Sequence, residues 1–368
     1  RLLKNGVAAM MTDQKLHKPI TVDDVLKTSS KKVLFTLAED RVRSTENHFE
    51  IYYNTDERDS LHFAYSLMLK NYDVYFVNWH DFNGTGFSRM FSYNEQKFVE
   101  PVSINEIDIF FVYQFLEFSK DELSLKKFLS MVQVFENTGG LVINDPKTIR
   151  KNISKEYLID LNRENVPSVK TYHLDENIIA RMEAGEEFVI KPKVGEGGAG
   201  QIKTSEVTEI KEQIANKEHY IAQEYYPSGK NGEKSLVFLG DEFSHAVLKM
   251  PNPKKEDEYR SNESMGGTVS VYEPTEEEIS FARSVLKVWR DWGYSVHYSR
   301  IDLIEINGKP HVIEAELMNP AAYANYSDIG PTFGERVAEY FDKLVYEHVQ
   351  KTKLAKATLL NEEIEVAN

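Results

Sequence analysis

From residue 31 to residue 144, short apolar runs alternate with stretches of helical period. "KKVLFTLAED" has the apolar run of a strand, with lysines in front and acidic residues at its exit. "RDSLHFAYSLMLKNY" places Leu61, Ala64, Tyr65 and Met68 on one helical face, and "DVYFVNW" returns as a strand. "IDIFFVYQF" is a near-continuous apolar strand. "LKKFLSMVQVFENTGG" is a helix stopped by Gly139 and Gly140, and "LVIN" is another short strand. This alternation predicts a small open α/β domain with a parallel sheet.

The pattern then changes. "SKEYLIDLNRENV" has helical spacing up to Pro167, and "FVIKPKV" reads as a strand. "QIKTSEV", "YIAQEYYP", "KSLVFLG", "FSHAVLKMP" and "YSRIDLIEINGKPHVIEAEL" read as further strands, with "TEEEISFARSVLKVWRDWG" as an amphipathic helix among them. These are antiparallel hairpins, so the second part is α+β. The expected organisation is an amino-terminal extension (1–30), an open α/β domain (31–143), a larger α+β domain (144–348) and an acidic carboxyl-terminal tail (349–368).

Composition narrows the function classes. The 368 residues carry 44 basic and 59 acidic side chains, for a net charge of −15. Bulk binding to nucleic acid or an anionic membrane needs a basic footprint, and both are set aside. There is no cysteine, which removes disulfides, thiolate metal sites and covalent thioesters. No apolar stretch approaches the roughly 18 residues of a membrane span. A cytoplasmic protein is expected.

"FVIKPKVGEGGAG" places four glycines in six residues after an apolar run that ends in Lys191. Glycine lets backbone N–H groups lie against a phosphate. A dinucleotide fingerprint needs a helix next, but a strand pattern follows. A P-loop needs Gly-Lys-Ser/Thr, whereas Gly200 precedes Gln201. What remains is a glycine flap between antiparallel strands. Protein kinases share that layout, yet no "HRD" or "DFG" equivalent occurs.

With "VINDPKTIRKNISKEYL", "IAQEYYPSGKNGEKSLVFLGDEFSHAVLKMP", "EYRSNESMGG" and "RIDLIEINGKPHVIEAELMNP", the chain resembles the ATP-grasp superfamily. It is most similar to its prokaryotic glutathione-synthetase-like branch. The resemblance implies an ATP-grasp fold behind an amino-terminal (pre-ATP-grasp) substrate domain, with ATP and two Mg²⁺ ions bound, Mn²⁺ being an alternative. Lys155 and Lys191 match the lysines that hold phosphate oxygens. Gly197, Gly198 and Gly200 would cover the phosphates. Gln223, Glu224, Tyr225 and Tyr226 match the adenine hinge, and Glu224 or Glu233 would take the ribose. Lys249, Arg260 and Arg300 are the catalytic cations expected around an acyl phosphate. Asp302, Glu314 and Glu316 match the metal carboxylates, with Asn319 nearby in the wall.

Asn307–Gly308 invites a two-residue hairpin turn, which by itself would pair Asp302 with Ile313 and turn Asp302 away from Glu314. A shared metal site requires Asp302 opposite Glu314, so a three-residue loop or a one-residue bulge is predicted. The resemblance implies a carboxylate–amine ligase working through an acyl phosphate on small-molecule substrates such as an amino acid or short peptide. Homo-oligomerisation is left open. Ser235 and Glu316 depart from the glutathione synthetases. The alternatives are a ligase that modifies a ribosomal precursor peptide and an ATP-binding module without turnover. Arg41 and Arg43, after the first strand, are candidates for meeting a substrate carboxylate.

Overall fold

The computed structural model describes residues 31–37, 42–45, 48–51, 57–113, 121–255, 257–318, 320–326 and 329–367. Within Lys32–Asn368 the described residues form one compact unit. Arg41 and Asn319 lie outside the described residues, as does the side chain of Arg43.

The first layer follows the strand–helix alternation of the sequence. Its elements are β1 (Lys31–Leu37), β2 (Val42–Thr45), β3 (His48–Ile51), α1 (Glu57–Leu69), β4 (Tyr72–Asn78), β5 (Met90–Ser92), β6 (Lys97–Val99), β7 (Ile109–Val112), α2 (Glu122–Thr138) and β8 (Leu141–Ile143). The six-stranded sheet runs β6-β5-β4-β1-β7-β8. β1, β7 and β8 are parallel as expected, but β5 and β6 add an antiparallel meander, so the sheet is mixed. The stretch after β1, where no strand is expected, contains the β2–β3 hairpin. Its strands, Val42–Thr45 and His48–Ile51, are four residues each, too short for a periodic pattern to identify. α2 starts on the Asp121 cap and ends where Gly139 takes φ 78°.

The second layer comprises α3 (Pro146–Asn152), α4 (Tyr157–Arg163), β9 (Thr171–His173), α5 (Glu176–Glu183), β10 (Phe188–Pro192), β11 (Ile202–Thr204), α6 (Lys211–Ala215), β12 (Tyr220–Glu224), β13 (Glu233–Leu239), β14 (Glu242–Met250), β15 (Thr268–Tyr272), α7 (Glu276–Asp291), β16 (Tyr298–Ile306), β17 (Lys309–Glu316) and α8 (Gly330–Ala367). Two antiparallel sheets result, ordered β11-β10-β12-β9 and β15-β14-β13-β16-β17. Thr275 and Glu278 form a capping box that fixes the start of α7. The helix buries Ile279, Val285, Leu286 and Trp289 against Leu236, Ile301, Leu303 and Val312. α8 was not anticipated, and it continues through residues expected to form a tail. Its Phe333, Val337 and Phe341 share a core with Phe63 of α1 and Phe111 of β7.

One buried carboxylate ties the two layers together. Asp59 of α1 is fully buried and accepts N–H bonds from Ala322 (3.0 Å) and Ala324 (3.1 Å), and a bond from the Tyr113 hydroxyl (3.3 Å). Removing the carboxylate takes an acceptor from two backbone N–H groups. Asp59→Ala should therefore lower stability by roughly 2–4 kcal/mol, read from urea unfolding midpoints at unchanged slope. A change below half a kcal/mol would show that the segment is held by other contacts.

Candidate functional site

The two antiparallel sheets enclose a cavity of about 620 Å³. Of the described residues proposed from sequence for nucleotide, catalysis or metal, all line it except Gly200 and Asp302. β10 and β11 pair antiparallel, with Phe188 opposite Thr204 and Ile190 opposite Ile202. The glycines therefore join two strands of one hairpin, and no helix follows them. Gly197, Gly198 and Gly200 have φ of 59°, 74° and 69°, the left-handed region where side chains are strained. A Cβ on Gly198 would stand 2.7 Å from Asn262 Oδ1. The loop carrying Arg260 meets this flap. Ser264 Oγ donates to the Gly197 carbonyl at 3.2 Å, and Arg260 Nη1 reaches the Gly198 carbonyl at 3.5 Å.

The β16–β17 hairpin supplies the carboxylates. Asn307 and Gly308 both have positive φ, as a two-residue turn of that type requires, and Ile306 pairs with Lys309. Leu303 pairs with Val312, but Asp302 pairs with Glu314, so Ile313 is an extra residue. The predicted bulge is present. It sends Leu303 and Val312 into the core while Ile313, Glu314 and Glu316 line the cavity.

The charges on this wall are paired. Lys155 Nζ lies 2.7 Å from Glu314 and donates to the Gly195 carbonyl at 2.8 Å. Burial opposes its charge, yet Glu314 and Glu316 hold its pKa above the ordinary value. Arg300 grips Asp302 with Nε and Nη2 at 2.8 and 2.9 Å, and Nη1 reaches the Ala321 carbonyl at 3.3 Å. Lys249 Nζ lies 3.1 Å from Asp302 and also pairs with Glu233. Burial pushes the Asp302 carboxyl up, but Arg300 and Lys249 prevail and hold it well down. Burial and the neighbouring Glu314 push Glu316 up to about 7.

Lys191 is the exception. It is buried, and among the described residues its amine has no hydrogen-bonded or ion-paired carboxylate. Burial lowers its pKa to about 8, with Glu314 opposing and Lys155 adding to the shift.

Among the described residues, no three His, Cys, Asp or Glu side chains come close enough to hold a metal ion. The physical reason lies in the pairing: Asp302 is occupied by Arg300 and Lys249, and Glu314 by Lys155. The donor chemistry still fits a hard divalent cation. Glu314 and Glu316 offer carboxylate oxygens on one cavity face, and the raised Glu316 marks a wall short of positive charge there.

At the hinge, Gln223 is buried and donates to Thr171 Oγ1 at 3.2 Å. Glu224 is bound by Arg181 (2.9 Å) and by the hydroxyls of Tyr172 and Tyr226 (both 2.8 Å). Glu233 also accepts from Ser261 Oγ at 2.9 Å. Arg260 is held by Glu258, with Nε and Nη2 at 2.8 and 2.9 Å. Those hydrogen bonds, against the opposing effect of burial, lower Glu258 to about 2. Sequence reasoning missed the apolar lining of Val169, Val189, Ile304 and Ile313, and the contributions of Tyr259 and Tyr323. The bulge delivers Ile313 to the cavity, so the clash between the Asn307–Gly308 turn and the clustered carboxylates is the signal that marks it.

Residues 159–324 match the family model described as prokaryotic glutathione synthetase, ATP-grasp domain. The glutathione synthetase of Agrobacterium fabrum is 29% identical over 161 residues, covering 42% of this chain and 49% of that protein. The chain thus spans about half the length of such curated relatives. A D-cycloserine synthetase superposes with a TM-score of 0.66 at 18% identity, over 85% of this chain and 99% of the other. An ATP-grasp ligase associated with ribosomal peptides from Chryseobacterium gregarium gives 0.57 at 12%, over 85% and 97%. These structures establish the shared fold. Flap, hinge and carboxylate hairpin all fall within the matched stretch, so residues 159–324 are similar to the ATP-grasp domain of the prokaryotic glutathione synthetases.

Proposed function

We propose that the protein is an ATP-dependent carboxylate–amine ligase that works through an acyl phosphate. The observation that carries this reading is Lys191, a buried amine without an ion-pair partner among the described residues, beneath a flap of glycines and beside Lys155. A triphosphate would satisfy both lysines and the flap's N–H groups together. A substrate carboxylate oxygen attacks the terminal phosphorus and ADP leaves. An amine then attacks the acyl carbon, and phosphate leaves. Lys249 and Arg300, kept charged by Asp302, stand where negative charge gathers on the transferred phosphoryl group. Glu314 and Glu316, with Asp302 behind them, would hold divalent cations, which supply further charge neutralisation when bound. The Arg260 loop and the glycine flap exclude water.

The substrates proposed are an amino acid or short peptide and an amine. Ser235, opposite Asp302 in the β13–β16 ladder, is fully buried. No basic side chain stands at that position to meet an acidic substrate, which argues against glutathione itself. The same reading takes 31–143 as the substrate domain and 144–348 as the nucleotide domain, flanked by the extension and tail, in a cytoplasmic enzyme. ADP release with Mg²⁺ and a panel of amino acids and peptides tests it. No release above background with any acceptor, together with tight ATP binding, would favour a non-catalytic module.

Lys191→Met should lower turnover on the order of a hundredfold without lowering apo thermal stability, because the buried charge it removes opposes folding. The unliganded Lys191 pKa of about 8 also sets a pH dependence. Between about 8 and the ordinary 10.5, the unfolded chain holds the proton that the folded one has lost, so apo stability rises with pH in that window. Nucleotide binding runs the other way. Phosphate needs the charged amine, so binding takes up a proton and weakens by up to about tenfold per unit above pH 8. Calorimetry in buffers of different ionisation enthalpy reads that uptake. Lys191→Arg should flatten the profile, and an unchanged slope would assign it elsewhere.

Gly198→Ala tests the flap. A side chain at φ 74°, 2.7 Å from Asn262 Oδ1, should disturb the contact between flap and Arg260 loop. A KM for ATP raised about tenfold is expected, from roughly 1–2 kcal/mol of left-handed strain. An unchanged KM would mean that this contact is not needed for closure.

A further inference from the structure

Three separate segments meet at one lysine. Lys203 on β11 places its ammonium 4.5 Å from the ring centre of Tyr225, which follows β12, and 5.8 Å from that of Tyr259, in the loop between β14 and β15. The two rings lie edge to face, 6.0 Å apart. Glu187 stands 3.8 Å from the same ammonium. A cation shared between two aromatic faces is an attraction that neither ring alone provides, and it ties flap strand, hinge and loop into one unit.

The phenol hydroxyls of Tyr225 and Tyr259 are both buried, and neither has a hydrogen-bond partner among the described residues. Native structures seldom leave such groups unsatisfied, because each forfeits its bonds to water. Both tyrosines line the cavity, whereas Lys203 does not. The same cavity carries the apolar side chains Val169, Val189, Ile304 and Ile313, suited to the face of a flat heterocycle. Burial, partly opposed by Arg260, pushes Tyr259 up to about 12, so its hydroxyl remains a donor at neutral pH.

Resting on the ATP reading above, we propose that Tyr225 and Tyr259, clamped by Lys203, form the base-selecting end of the nucleotide site, their hydroxyls bonding the edge of a purine nucleoside. Lys203 is a positioning residue: it touches the tyrosines and acts through them. Tyr259 would bring base recognition onto the loop that also carries Arg260, so that a correct base and a closed phosphate site are reached together.

The test compares binding of the Mg²⁺ complexes of AMPPNP and GMPPNP by calorimetry. Tyr259→Phe removes only the hydroxyl, and because that atom has no partner to lose, the apo melting temperature should not fall. Its AMPPNP dissociation constant should rise about five- to tenfold and the preference over GMPPNP should shrink. Lys203→Met should reproduce the effect, and Lys203→Arg, which keeps a cation over the rings, should restore it. Unchanged preference in both Tyr259→Phe and Lys203→Met, in a protein that binds AMPPNP, would overturn the clamp alone. Failure of the unaltered protein to bind AMPPNP at all would overturn the ATP reading and the clamp with it. A loss in Lys203→Met that arginine does not rescue would also count against a cation held between two rings.

Discussion

A single extra residue in one strand decides which side of a sheet is charged. β16 and β17 leave their two-residue turn in a register that would separate Asp302 from Glu314, and Ile313 corrects it. Because side chains alternate with a period of two, without the bulge Glu314 and Glu316 would enter the core occupied by Leu303, Val312 and Trp289. With it, Arg300, Asp302, Glu314 and Glu316 share one face. Across β13 and β14, Glu233 and Lys249 are directly opposed and join the same network. Buried charges are tolerable only when paired, and removal of one partner is costly. The bulge is therefore the condition under which this many ionised groups coexist in one wall.

The opposite wall has a different electrostatic character. β10 brings Lys191 into the cavity from within an apolar strand, and its burial pattern leaves the ammonium short of a counter-charge. Paired charges on one side and, among the described residues, a cation without an ion-paired carboxylate on the other suit a polyanion bound between the sheets. Flap and loop already touch through Ser264 and Arg260, so the roof over that space rests on two segments far apart in the chain.

The parts of this arrangement legible in the sequence are those where local pattern and chemistry speak together. Four glycines behind "FVIK" announce a flap. Asn307–Gly308 fixes a turn, and the clash between that turn and the clustered carboxylates exposes the bulge. Other parts depend on long-range packing and leave no local mark. The 38-residue α8 has an acidic end in sequence, and the apolar face of its first turns is explained only by packing on Phe63 and Phe111 of the first layer. The β2–β3 hairpin has strands of only four residues each, too short to mark themselves in sequence. Asp59 reads as one acidic residue in a helix until Ala322 and Ala324 are seen to donate to it. Lys203, Tyr225 and Tyr259 are 22 and 34 residues apart in succession, and nothing in sequence predicts that they meet.

Asp302 shows how one residue type can be right and its surroundings decisive. It lies on the face that the metal argument required, yet it is fully buried and stands behind the cavity lining, held by three nitrogen contacts from Arg300 and Lys249. Glu316 differs in kind, with burial and Glu314 pushing its pKa up to about 7 and Arg300 no closer than 3.8 Å. The two carboxylates therefore divide the labour by environment. Asp302 is the fixed counter-ion that keeps two buried cations charged and aimed, and its exchange for a metal would have to release both. Glu316 has a charge deficit that an incoming cation relieves directly. A cation entering this wall would thus engage Glu316 and Glu314 first, with Asp302 holding Lys249 and Arg300 in place for the phosphoryl group.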